Sequence, residues 1–185
     1  MVEISDWELV QRCQAGDMSG FQELVSRYQQ KVFLVALGLL RNREDALEAS
    51  QETFFRAYRK INSFHGESSF YTWLYRIAVN MAIDAQRRLK RSPLDFRDSM
   101  DGVLQERNEV AKDAFADVHE KQLRAKLSQA IDDLSPEHRA VIVLRTLEGL
   151  SYKDIGEILG CSEGTVMSRL HYARKKLQEK LRAFL

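Results

Sequence analysis

The stretch Leu150-Ser151-Tyr152-Lys153-Asp154-Ile155-Gly156-Glu157-Ile158-Leu159-Gly160-Cys161-Ser162-Glu163-Gly164-Thr165-Val166-Met167-Ser168-Arg169-Leu170 decides how the chain is read. Ser151, with Asp154 three residues on, is a capping box that opens a short helix with Ile155, Ile158 and Leu159 inside. Gly160-Cys161-Ser162 interrupts that helix. Ser162 can then cap a second helix whose buried face is Val166, Leu170, Ala173, Leu177 and Leu181. Two helices joined by a three-residue turn containing Gly make a helix-turn-helix, and the small Gly156 predicts a close crossing of the second helix over the first. The second helix exposes Met167, Ser168, His171 and Tyr172 near its start, side chains able to touch base edges. Arg169, Arg174, Lys175 and Lys176 around them suit phosphates, and Arg145 and Lys153 on the supporting helices can add to these. The blander alternative is a bundle for protein contacts whose last helix is merely solvated by charge.

Charge distribution favours the nucleic-acid reading. The 185 residues carry a formal net charge of +1, but the charges are segregated along the chain. Arg87, Arg88, Lys90 and Arg91 form one basic cluster, and six Lys or Arg stand against one acid from Arg169 to Arg182. Between them, Leu94 to Val118 holds seven acids and three bases. Such segregation matters for partners, because fields act locally where averages cancel.

Composition predicts helices throughout: Leu and Ala number 38 against 24 for Val, Ile and Thr, with 2 Pro and 9 Gly. The longest apolar run, Val32 to Leu40, is nine residues and contains Gly38, too short to insert into a membrane. The N-terminal residues show no basic region ahead of an apolar stretch, so no secretory signal is expected. Cys13 and Cys161 stand alone, which excludes a zinc finger or a disulfide scaffold and suits a cytoplasmic, reducing compartment. The four histidines (His65, His119, His138, His171) lack ligand spacing, and the common phosphate-binding and nucleophile motifs are missing. No cofactor or metal is expected.

Upstream, periodicity predicts four helices. Ser5 with Glu8 opens a short one. A long one runs from Met18 to Leu40 with Phe21, Leu24, Val25, Tyr28, Val32, Val35, Ala36 and Leu39 on one stripe. A third spans Asn42 to Ile61 with Ala46, Leu47, Phe54, Ala57, Tyr58 and Ile61 inside. After the turn-rich segment Asn62 to Ser68, a fourth starts near Ser69 and buries Phe70, Trp73, Leu74, Ile77, Ala78, Met81 and Ala85. Ser92-Pro93 ends this half, and the acidic stretch that follows reads as a linker ordered only against a partner. Beyond it, Ser135-Pro136 is a strong helix opener, and Gly149 is placed to end that helix. The fold class is therefore all-α: two small helical domains, 1–92 and 118–185, joined by a linker at 93–117.

Two surfaces of the first half could carry chemistry. Opposite the core stripe of the third helix stand Glu44, Glu48, Gln51, Glu52, Phe55 and Arg59. They read either as a docking face for a basic partner or as a solvated face with one stray aromatic, and spacing alone favours the latter. The fourth helix offers Tyr71, Thr72, Tyr75, Arg76, Asn80 and Arg87, groups that can stack and hydrogen-bond unpaired bases, unless Tyr71 and Tyr75 simply complete the core. The preceding Gly/Ser loop could pocket an extruded base.

Gln51-Glu52-Thr53-Phe54-Phe55-Arg56-Ala57-Tyr58 and Phe70-Tyr71-Thr72-Trp73-Leu74-Tyr75-Arg76-Ile77-Ala78-Val79-Asn80 resemble region 2 of extracytoplasmic-function (ECF) sigma factors. Leu150 to Gly156 and Glu163 to Leu170 resemble their region 4, and the resemblance covers nearly the whole chain. It implies a dissociable initiation subunit of bacterial RNA polymerase, not itself an enzyme, answering to an anti-sigma factor in a stress or envelope response. Glu48, Gln51, Glu52 and Phe55 would dock on the clamp helices of the largest core subunit, with a further contact at the polymerase flap; this reverses the bland reading of that face. Phe64, His65, Gly66, Glu67, Ser68 and Ser69, with Tyr75, Arg76 and Asn80, would open and read the −10 element of promoter DNA. Arg145, Tyr152, Lys153, Thr165, Met167, Ser168, Arg169, His171, Tyr172, Arg174 and Lys175 would serve the −35 element, while the acidic linker threads towards the RNA exit channel. Met167 and Tyr172 depart from the basic residues common at those places, so the −35 preference cannot be copied. Glu48-Ala49-Ser50 departs from a more usual Asp followed by two apolar residues, a change docking should survive. The competing functions are an ordinary helix-turn-helix regulator, for which no dimerisation helix is visible, and a helical adaptor that never touches DNA.

Overall fold

The computed structural model describes residues 4–91 and 114–182, with side chains described over 4–88 and 122–182. Most of the expected linker, 93–113, lies outside the described residues. Eight α-helices and no strand occur among the described residues: α1 (Asp6–Gln14), α2 (Met18–Leu40), α3 (Arg43–Lys60), α4 (Phe70–Arg91), α5 (Ala114–Asp132), α6 (Pro136–Leu147), α7 (Tyr152–Leu159) and α8 (Glu163–Leu181). A single 3-10 turn, Ile61–Ser63, follows α3.

Most helix starts are where the sequence places them, because capping side chains specify them. Ser5 and Ser151 form complete capping boxes with Glu8 and Asp154. Asp17, Asn42, Ser135 and Ser162 cap α2, α3, α6 and α8 by accepting from backbone N–H groups. Gly149 and Gly160 close α6 and α7 in left-handed backbone, at φ 66° and 64°. α5 begins at Ala114, inside the stretch expected as linker.

Burial follows the expected stripes with one correction on α3. Its buried face is Ala46, Ala49, Ser50, Thr53 and Ala57, whereas Leu47 and Tyr58 are exposed. Small side chains let α3 lie close between α2 and α4, which turns the larger apolar ones to the rim. The Thr53 hydroxyl, wholly buried, donates to the Ala49 carbonyl at 2.6 Å. A second difference concerns Gly156. A Cβ there would stand 2.7 Å from the Cys161 carbonyl, so the glycine admits the turn backbone rather than the body of α8.

The two halves share one apolar core. The C-terminal end of α2 is buried on every side from Val35 to Leu40 because α6 packs against it. A Cβ on Gly38 would stand 3.0 Å from both Val143 methyls, so glycine sets that approach. The buried Arg139 guanidinium donates to the carbonyls of Leu39 (2.8 Å), Asp132 (2.9 Å) and Ile131 (3.2 Å), tying the ends of α2 and α5 to α6. The Leu39 and Asp132 carbonyls are helix-end acceptors, and satisfying them explains how a charge is tolerated there. Arg41, in left-handed backbone after α2, reaches Asp132 at 3.1 Å.

Candidate nucleic-acid interface

α8 presents the face the sequence predicts. Met167, Ser168, His171, Tyr172, Arg174 and Lys175 are all exposed, while Val166, Leu170 and Ala173 are buried beneath them. Their spacing puts them on one outward surface of a helix whose first turn is capped by Ser162 and whose end is basic. Tyr172 and the neighbouring Arg169 behave differently from the rest. The Tyr172 ring leans on His138 of α6, centroids 4.6 Å apart, and is still 53% exposed. Arg169 turns inward towards Cys161 and lines a hollow with Asn80, Arg87 and Glu137.

The supporting residues divide in the same way. Lys153 is exposed at the start of α7. Arg145 donates to the Leu150 carbonyl at 2.7 Å and lies over the Tyr152 ring at 5.4 Å, so it clamps the α6–α7 turn. Thr165 is half-buried against the Ser162 cap, their hydroxyls 3.0 Å apart.

The loop between α3 and α4 is anchored by its first residue. Phe64 is buried in an aromatic cluster with Trp7, Phe70 and Trp73, at centroid distances of 5.2 to 5.9 Å. His65, Gly66 and Glu67 stand exposed at the tip, Ser68 is half-buried, and the Ser69 hydroxyl accepts from the Thr72 N–H at the start of α4. Phe64 is thus a foot of the loop and not part of its outer surface.

On α4, Asn80 and Arg76 are exposed and Tyr75 is buried, and both Tyr75 and Arg76 bond to the second half of the chain. Tyr75 is 2% exposed and donates its hydroxyl to Glu148 at 2.7 Å; burial, then the Glu148 carboxylate, raise its pKa far above that of a free phenol. The Arg76 guanidinium donates to the Glu157 carbonyl at 2.6 and 3.1 Å. Arg87 approaches Glu137 at 3.8 Å. The Glu137 carboxyl is held below the usual range by its own backbone N–H, then by Ser135, Arg169 and Arg87.

The outer face of α3 is open. Glu48, Gln51, Glu52 and Phe55 line a groove whose other wall is Met81, Ala85 and Arg88 of α4. Phe55 is 55% exposed with the Arg59 guanidinium 5.7 Å above it, and Glu52 pairs with Arg56 at 2.7 Å. An exposed aromatic among acids, backed by an apolar wall, can seat a basic helical partner. Among the described residues no group of His, Cys, Asp or Glu could hold a metal ion, and no helix is long and apolar enough to cross a membrane.

Comparison with known proteins fits this layout. Residues 24–92 match the family described as Sigma-70 region 2, and residues 124–177 that described as Sigma-70, region 4. An ECF RNA polymerase sigma-E factor of Haemophilus influenzae is 41% identical over 192 residues, covering 99% of this chain and 98% of the relative. The chain belongs to the ECF sigma factors. The solved sigma factor RpoE of Bartonella quintana, in complex with the anti-sigma factor NepR, is similar with a TM-score of 0.66 and 26% identity, over 88% of this chain and 96% of that one. CnrH, solved with the cytosolic domain of CnrY, shares the fold at a TM-score of 0.71 and 23% identity, over 97% of this chain and 99% of that one. In this sigma factor, region 4 lies against α4 of region 2, a relation no local pattern signals.

Sequence reasoning missed His138, Glu148 and Glu157 as neighbours of candidate DNA residues, and Trp7 and Gln14 beside the loop. Each acts across a long sequence separation.

Proposed function

We propose that this sigma factor binds core RNA polymerase through the open groove of α3 and directs initiation at promoters that it reads with two separate surfaces. Glu48, Gln51, Glu52 and Phe55 dock on the clamp helices. The loop tip at His65, Gly66 and Glu67, with Asn80, takes the −10 element, and the outer face of α8 takes the −35 element. Residues 1–92 and 118–185 act as the two functional units. The polymerase does the chemistry, so the factor is not an enzyme, and it works in the cytoplasm. An anti-sigma partner of the kind named with the RpoE structure would control it.

The observation that carries this reading is the α8 face, where Met167 and five polar, basic or aromatic side chains lie exposed over an apolar underside of Val166, Leu170 and Ala173. Tyr75 and Arg76 join the −10 surface only when Glu148 and Glu157 release them, so loading onto the polymerase separates α7 from α4. A run-off transcription assay with core polymerase and a promoter library tests the function. Promoter-specific transcripts that require the added factor are the expected result, and their absence with binding-competent core overturns it.

A further inference from the structure

α1 is a rigid platform beside the loop 64–69. Its start is set by the Ser5–Glu8 capping box, and it is tied to α2 at both ends. Asp6 accepts from Arg27 at 3.0 Å and from the Tyr28 hydroxyl. At the other end Gly20 admits the α1 backbone, since a Cβ there would stand 2.5 Å from the Leu9 carbonyl. Two side chains project from this platform to the loop. The Gln14 amide donates to the carbonyls of Ile61 (2.8 Å) and Phe64 (2.9 Å), fixing the point where the chain leaves the 3-10 turn. Trp7 meets the Phe64 ring edge-on at 5.9 Å and lays the outer edge of its indole on Gly66.

The Gly66 contact is close and specific. A Cβ at Gly66 would stand 3.2, 3.4 and 3.5 Å from Cζ3, Cη2 and Cε3 of Trp7, and Gly66 sits at φ +78°. The loop tip thus has a left-handed turn pressed against a bulky ring, with His65 and Glu67 left pointing outward. Trp7 remains 41% exposed, an unusual position for the largest side chain in a protein, which core packing alone does not require. Gln14 below and Trp7 above hold the loop at its entry and at its tip.

We infer that α1 is a positioning element for promoter opening: Trp7 and Gln14 hold the loop 64–69 in the one backbone shape that accepts an unpaired −10 base. This rests on reading that loop as the −10 contact. An unpaired base is captured only by a surface already shaped for it, because a loop that must order itself on binding loses affinity and discrimination together. Trp7 is a positioning residue here, acting through Gly66 and Phe64.

The test uses holoenzyme assembled from the full chain and core polymerase, selecting from promoter fragments randomised across the −10 and −35 elements. Trp7→Phe keeps an apolar ring near Phe64 but withdraws the indole edge from Gly66, and Gln14→Glu replaces the amide donor by an acceptor facing two carbonyls. Both are expected to flatten the −10 preference and lower permanganate reactivity of promoter thymines about tenfold, with the −35 preference and core binding at parental level. A −10 preference and strand opening equal to the parent in Trp7→Phe overturns the inference. Loss of core binding and of the −35 preference in the same proportion also overturns it, because the two residues then support the fold only. If the parent itself selects no −10 sequence, the reading of the loop fails first. That outcome differs from failure of the brace, in which the parental preference survives the substitutions unchanged.

Discussion

Single side chains divide cleanly into those that make the fold and those left free for partners. Phe55 belongs to the second group: it is more than half exposed, with the Arg59 guanidinium above its ring. Phe55→Ala with Glu52→Lys should lower affinity for core polymerase at least tenfold, equivalent to about 1.4 kcal/mol. Unfolding should change little, because the Glu52–Arg56 pair it breaks lies on the surface, where such pairs contribute less than about 1 kcal/mol. Titration of labelled core with the variant checks this. Arg139 belongs to the first group. Arg139→Met would leave the Leu39 and Asp132 carbonyls without their donor and should cost roughly 3 kcal/mol in chemical denaturation.

At the level of the element, α8 carries two kinds of contact on one helix. Arg174 is exposed beside the groove-facing set, so Arg174→Ala should weaken binding to every −35 sequence alike and flatten the salt dependence by about one counterion. Tyr172→Arg should change which sequence is preferred, with a bidentate contact to guanine discriminating by about 1–3 kcal/mol. A selection over randomised −35 sequences, repeated at two salt concentrations, separates the two effects. α8 also packs on a titratable side chain of α6, His138, on which the Tyr172 ring rests. Burial first, then the nearby Arg169 and Lys176, outweigh Glu137 and hold the His138 pKa below its usual value. A histidine depressed in the folded state binds fewer protons than in the unfolded chain. Stability is therefore full above the ordinary histidine range and falls as pH drops through it. Thermal melts between about pH 7.5 and 5.5 should show this loss, and His138→Phe should remove part of it.

For the whole molecule, the consequential feature is that region 4 covers part of region 2. Tyr75 donates to the Glu148 carboxylate and Arg76 to the Glu157 carbonyl, so under the proposed −10 role of these residues a promoter strand would compete with those partners. Tyr75→Phe combined with Glu148→Ala removes a hydrogen bond to a charged acceptor, about 1.5–3 kcal/mol, without leaving a buried carboxylate unpaired. The radius of gyration from small-angle scattering should rise. Binding of single-stranded −10 DNA to the free factor should strengthen several-fold. An unchanged scattering curve with unchanged strand binding would mean that the shared core between α2 and α6 alone keeps the halves together.

The sequence by itself determined the helices, the capped ends among them and the chemistry of the α8 face. Caps, left-handed glycines and 3.6-residue periodicity are local and act within a few residues, so Ser5, Ser135, Ser151, Ser162, Gly149 and Gly160 could be read directly. The tertiary structure decided which of the exposed-looking groups are occupied. Tyr75 could stack a base or complete a core on equal terms of spacing, and its partner Glu148 lies 73 residues away. Leu47 and Tyr58 look like core by type, yet the smaller Ala46, Ala49 and Ala57 win the buried face because α3 must fit between two helices. Trp7 over Gly66 and Arg139 under Leu39 are likewise contacts between distant segments. Local patterning specifies what each segment can be, but a side chain's availability depends on what the rest of the chain packs against it.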